Sequence, residues 1–173
     1  MSNSKPVFSI PNMWRCLLMV MCLMHITGCQ ESIVCEEATS ASLRAGFYTL
    51  TDNGQTASTM AVDSLTVYGA GRPDDKIYDN RKQVLRIELP VNPVTDSTSY
   101  VFVFPGYTDT LWVIYDRNPY LISVECGFTM FYDIHMVRHT NNYITIADIN
   151  INQVSNTLDE HIQIFIPAPA DDL

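Results

Sequence analysis

The chain has 173 residues, 19 acidic against 10 basic side chains, a formal net charge of −9 and 47% hydrophobic residues. Such an acid excess disfavours nucleic acid and anionic lipid head groups as partners, because like charges repel. The acids are scattered, with no block of like charge that reads as an interaction tail.

In chain order, the first organised stretch is Met13-Trp14-Arg15 followed by an apolar run from Cys16 to Met24 and then Ile26-Thr27-Gly28-Cys29. The run is shorter than the roughly 20 apolar residues a spanning helix needs. A basic start, a short apolar middle and small residues before a cut site describe a secretory signal. Met13 serves as a start as well as Met1 does, with the same mature product. Ile26-Thr27-Gly28-Cys29 resembles the bacterial lipobox, although Ile26 stands where Leu is usual. The resemblance implies cleavage before Cys29 and acylation of its thiol and amine, with palmitate among the chains. The expected organisation is a lipoprotein signal peptide over 1–28, a short lipidated tether over 29–34, a β domain over 35–166 and a disordered tail over 167–173.

Cleavage removes 28 of the 173 residues and leaves 145, the commonest size for one domain. It takes Lys5 and Arg15 and no acid, so the remainder carries 8 basic against 19 acidic side chains. Of the five cysteines, Cys16 and Cys22 leave with the signal and Cys29 takes the lipid. Cys35 and Cys126 remain as an even pair in an oxidising compartment. They are expected to form a disulfide closing a loop of roughly 90 residues, worth on the order of 4–5 kcal/mol in the chain-entropy model. Two buried free thiols are the alternative. From Cys29 to Cys35 the extended chain reaches at most about 20 Å, so the domain is expected to hug its membrane. Gln30 after the acylated cysteine favours the outer membrane by sorting analogy.

Past Ser32–Leu43, short β-favouring runs are broken by turn chemistry. Leu43–Thr51 alternates and ends at a tight turn, Asp52-Asn53-Gly54. Asp63–Gly69 alternates, and 69–83 reads as a loop. Val84–Leu89 predicts an amphipathic strand with Leu85, Ile87 and Leu89 inward. A second loop over 90–99 precedes Tyr100–Phe104 and Thr110–Tyr115, which are apolar on both faces. Such runs suit strands buried on both sides, or strands whose outer face meets a partner. Pro105-Gly106 is a turn between them, and Asn118-Pro119 ends the second. Tyr120–Cys126 and Phe128–Val137 follow, with a bulge or bend at Gly127. Asn141-Asn142 predicts a two-residue hairpin turn, and Tyr143–Ile149 and His161–Ile166 complete the set. No helical period appears after Cys29. The pattern predicts an all-β chain: an antiparallel β-sandwich of about eight strands, Greek-key or immunoglobulin-like.

Few residues invite chemistry. His135 and His139 stand about 13 Å apart on a strand, too far for one metal. Asp133 and His135 share a face about 7 Å apart but lack a third ligand. His161 follows Asp159-Glu160 where a solvated turn explains it. There is no Gly-x-Ser-x-Gly elbow, no phosphate-binding loop and no dinucleotide fingerprint. The expectation is no catalytic residue, no metal, no cofactor and no enzyme. Most aromatic residues fall in doubly apolar strands and read as core, with Tyr107 and Tyr120 as the rings most expected at the surface.

The segments Asp109-Thr110-Leu111-Trp112-Val113-Ile114-Tyr115 and Leu121-Ile122-Ser123-Val124-Glu125-Cys126-Gly127-Phe128 resemble a family of uncharacterised envelope lipoproteins of Bacteroidota type, a domain of unknown function. The resemblance covers essentially the whole mature chain and carries no activity, cofactor or catalytic residue. It implies O-glycosylation at Asp-(Ser/Thr)-apolar or Asp-Ser/Thr-Thr sites, with Ser97 and Ser64 the candidates and Thr110 a weaker one. It also implies work beside an outer-membrane β-barrel protein. The expected function is therefore a non-enzymatic lipoprotein of the outer membrane, anchored by lipid and acting by protein–protein contact, with no nucleic acid. A glycan-binding accessory lipoprotein and a small hydrolase or metal-site protein are the alternatives.

Overall fold

Alternation of buried and exposed side chains along short runs organises the chain into strands. The computed structural model describes residues 40–51, 54–124 and 126–168, all within one compact unit, Cys35–Leu173. The signal peptide, the tether, Cys29, Cys35 and all but the first two residues of the expected tail lie outside the described residues. Among the described residues there are eleven strands. They are β1 (Ser42–Thr51), β2 (Thr56–Thr59), β3 (Leu65–Gly69), β4 (Lys76–Arg81), β5 (Arg86–Pro90) and β6 (Ser97–Phe104). β7 (Tyr107–Ser123), β8 (Gly127–His139), β9 (Ile146–Ile149), β10 (Gln153–Val154) and β11 (Ile162–Phe165) follow.

They form two sheets packed face to face, the expected all-β sandwich architecture. In the first, β1 is central: β11 pairs along one edge and β9 lies beyond it, while β5 and β2 share the other edge. The second runs β10-β8-β7-β6-β3-β4. The pairings are antiparallel except for β1 with β11, which run parallel from Ala45↔Ile162 to Tyr48↔Phe165. The core lies between the sheets. Leu43, Ala45 and Phe47 of β1 and Ile162 and Ile164 of β11 face Leu65, Val67, Phe102, Leu111 and Val113 of the other sheet. Phe47 meets Phe102 edge to face at 6.4 Å between ring centroids, an arrangement that ring quadrupoles favour.

Pro105-Gly106 makes the expected turn between β6 and β7, with Gly106 at φ 79°, a conformation only glycine adopts freely. Several expectations need correction. Residues 69–83 are not all loop, because Lys76–Arg81 form β4 on the sheet edge. Its partly buried residues, Ile77 and Tyr78, are adjacent in a polar edge strand, so no apolar alternation reveals it. Leu85 points outward, half-exposed, and Val84 is buried instead. Val84 bridges Val62 just after Gln83 at positive φ, and the chain shifts phase by one residue before Ile87 and Leu89 turn inward. Asn118-Pro119 does not end a strand, since β7 runs through it to Ser123. Tyr115 donates its N–H toward Asp96 on the β6 side, so the nitrogen of Pro119, four residues on, faces that same side past the end of β6. A proline removes no ladder hydrogen bond there. Asn141-Asn142 is no hairpin turn either, because β8 and β9 belong to different sheets.

Candidate functional site

A recess lies where β3 stops at Gly69 and leaves the start of β6 uncovered. The chain segments before β4 and after β5 wall a cleft of about 610 Å³ there. Arg72, Asp75 and Asn92 supply polar groups, and Trp112 supplies an aromatic wall. The 90–97 wall is held from beneath. Tyr100 donates its hydroxyl to the Pro90 carbonyl at 2.7 Å and Tyr115 donates to the Asn92 carbonyl at 2.9 Å. Arg117 pairs with Asp96 at 2.7 Å and donates to the Val94 carbonyl at 3.0 Å. Burial pushes the Tyr100 and Tyr115 phenols up, so both remain neutral donors.

Beside the cleft, the outward face of β6, β7 and β8 carries several apolar side chains among serine, threonine and arginine. Val101, Val103 and Ile114 are half-buried there, while Trp112 is 40% and Met136 is 42% exposed. Trp112 stands opposite Ser99 and Arg138, and Ile114 opposite Ser97 and Met136, so these side chains occupy adjoining rows. Ile114 and Met136 are thus an apolar pair about 5 Å apart, while Trp112 lies between Ser99 and Arg138, whose Nε donates to the Met136 sulfur at 3.1 Å.

The residues singled out for chemistry sit in separate contacts. His135 sits at a register shift in β8 and pairs with Asp116 at 2.8 Å, both exposed. Asp133 accepts from the Asn118 amide at 2.7 Å. His139 contacts the Thr140 carbonyl at 2.8 Å. Among the described residues no three His, Cys, Asp or Glu side chains gather as a metal would require. His161 is a correction: it is fully buried, with Nδ1 accepting from the Arg44 amide at 2.9 Å. An accepting Nδ1 places the ring proton on Nε2, which is buried without a partner. Burial, reinforced by Arg44, lowers its pKa and keeps the ring neutral. Glu160 next to it lies over Gly46, accepts the Tyr48 hydroxyl at 2.6 Å and faces Arg86 at 3.4 Å.

Asp109 was not anticipated. It is buried and accepts from the Thr140 hydroxyl and from the amides of Asn142, Tyr143 and Ile144, the last three at 2.7–2.9 Å. Burial alone would raise its pKa, but these donors outweigh it and hold the carboxyl below the usual range. It fixes the crossover from β8 toward β9. The one hint in the sequence was an acid in an otherwise inward-facing position, in step with Leu111 and Val113.

Of the modification candidates, Ser97 is exposed at the start of β6, whereas Ser64 is half-buried with its hydroxyl donating to Asn80. Thr110 is half-buried within β7. Tyr107 and Tyr120 are each half-exposed, as expected. Cys126 is disulfide-bonded and not a free thiol, while Cys35 lies outside the described residues. A model of a family of unknown function, DUF6452, matches residues 64–166, from just before β3 to just past β11. No curated protein and no solved structure matches the chain.

Proposed function

The chain belongs to DUF6452, a family of unknown function, and we propose that it works as a non-enzymatic envelope lipoprotein that acts by contact with a membrane protein. In this reading acylated Cys29 holds the domain at the outer membrane, a Cys35–Cys126 disulfide staples its entry segment, and an outer-membrane β-barrel is the partner. The observation that carries it is the outward apolar face of the second sheet, centred on Trp112, Ile114 and Met136. Aromatic and methionine side chains are enriched at contact surfaces. A photo-crosslinking residue placed at Trp112 in living cells is expected to capture one outer-membrane protein. The same residue at Ser58, on the exposed β2 edge strand, serves as the control. Equal capture at both positions, or none, overturns the reading.

The cleft favours a second reading, a glycan-binding accessory lipoprotein. An indole wall beside guanidinium, carboxylate and amide groups suits a sugar ring, which stacks on one face and hydrogen-bonds at its rim. Titration of Trp112 fluorescence with envelope oligosaccharides tests it. A saturable change abolished by Arg72→Ala supports it, and a flat response removes it.

A further inference from the structure

We propose that the cleft beside Trp112 binds a zwitterionic lipid headgroup, a phosphate joined to a primary ammonium, as a second membrane contact beside the acyl anchor. This deepens the envelope reading and rests on it for the presence of a bilayer next to the domain.

Serine keeps the floor of the cleft low. Ser99 stands directly opposite Trp112 on β7, and on its other side its carbonyl accepts the Ala70 amide at 2.9 Å. Directly opposed residues of a sheet share a face, and neighbouring strands lie about 4.8 Å apart. The indole and the turn that begins at Ala70 therefore flank the small Ser99 side chain across about 10 Å. Ser97, two residues back, continues the same floor.

The turn presents charge of both signs. Asp75 donates its N–H to the Arg72 carbonyl at 3.1 Å, and both residues line the cleft. Among the described residues neither exposed side chain forms an ion pair. A simple anion would meet Arg72 but be repelled by Asp75, and a simple cation would meet the reverse. A ligand carrying both signs satisfies both groups. Its phosphate takes the guanidinium and the serine hydroxyls in charge-assisted hydrogen bonds. Its ammonium takes the Asp75 carboxylate and lies against the indole, whose face attracts cations. Being net neutral, it also escapes the repulsion that a chain of charge −9 imposes on an anion. A neutral sugar ring would leave both charges unmatched.

Position points to a bilayer as the source. Pro90, on the cleft wall, pairs with Ser42, the first residue of β1. Thirteen steps of chain (42 − 29) separate Ser42 from Cys29, a reach of at most about 47 Å. A lipid anchor at Cys29 keeps the cleft wall within that leash of the membrane, so headgroups meet it at high effective concentration.

The test uses the full chain with Trp14→Phe, which leaves Trp112 as its one tryptophan. Its emission is titrated with glycerophosphoethanolamine. The expected result is a saturable change that glycerol phosphate or ethanolamine alone produces only at about tenfold higher concentration, the size of one charge-assisted hydrogen bond. Arg72→Ala and Asp75→Ala, each with an unchanged circular dichroism spectrum, should weaken binding to a similar degree. On vesicles of phosphatidylethanolamine and phosphatidylglycerol the acylated protein should show Trp112 shielded from acrylamide, and on phosphatidylglycerol alone it should not. A flat titration or an equal response to glycerol phosphate overturns the proposal. A response to envelope oligosaccharide alone overturns it in favour of the glycan reading. Binding of the soluble headgroup without shielding on vesicles overturns the lipid source. Intact-mass measurement at Cys29 is read separately: an unacylated sulfur defeats the anchoring reading, while the soluble titration still decides the cleft.

Discussion

Asp109 shows how much one side chain can organise. Four donors converge on its carboxylate, three of them backbone amides of residues 142–144. Asp109→Asn would set an amide N–H₂ against those N–H groups, leaving donors unpaired at about 1–3 kcal/mol each. The expected result is a fall of several degrees in Tm by thermal denaturation. The same carboxyl sets an acid response. Its folded pKa lies below its ordinary 3.8, so its stabilisation is full above 3.8 and is lost as pH falls through the folded value. His161 acts in a higher window. Its folded pKa lies below 6.5, so the unfolded chain takes up the proton first and stability declines as pH falls from 6.5 toward the folded value. Urea denaturation at stepped pH should show both declines, and Asp109→Asn should abolish the lower one alone. Gly46 marks a third such point, since a Cβ there would overlap the Glu160 carboxylate. Gly46→Ala is expected to cost about 1–3 kcal/mol. Glu160→Ala in the same chain should recover part of it, as a double-mutant cycle of unfolding free energies would show.

At the scale of elements, legibility followed burial. β1, β6 and the first half of β7 alternate in burial because one face packs on the core; the sequence marked β1 at nearly its true limits, but it marked only Tyr100–Phe104 of β6, whose polar start Ser97–Ser99 read as loop, and only Thr110–Tyr115 of β7. β2 carries no such signature, because its side chains are exposed throughout, and β4 gives only the adjacent pair Ile77-Tyr78, which is partly buried but does not alternate. Proline misled for a related reason. Its ring removes an N–H, which ends a central strand but not one whose nitrogen faces an open edge. Pro119→Thr should therefore leave Tm within about 2 °C, an estimate that follows from surface substitutions costing little. Restoring an N–H to that edge should also raise self-association, measured by sedimentation, because an open edge templates pairing.

The whole molecule depends on contacts between residues far apart in the chain. β1 and β11 join parallel although more than a hundred residues separate them, and β1 closes the first sheet only because β11 returns to it. A staple between Cys35 and Cys126 would act on the same scale. If that pair is bonded, replacing both cysteines by serine should lower the unfolding free energy by about 4 kcal/mol, read from urea midpoints. An unchanged midpoint would reject the pairing.

By itself the sequence determined the class of fold, the inward faces of the main strands and the turn at Pro105-Gly106, because period-two burial and glycine conformation are properties of neighbouring residues. It also pointed to Tyr107 as a surface ring through its place beside that turn, whereas Tyr120 is exposed within β7 and not beside the turn expected at Asn118-Pro119. Only the tertiary structure decided that the Asp109 carboxylate would gather the 140–144 segment and that His161 would be sealed neutral beneath Arg44. It alone placed Trp112 at the edge of a cleft, and continued the β7–β8 ladder beyond the last β6 and β10 pairs. Those outcomes depend on which distant strand lies alongside, and no local pattern of side chains encodes that neighbour.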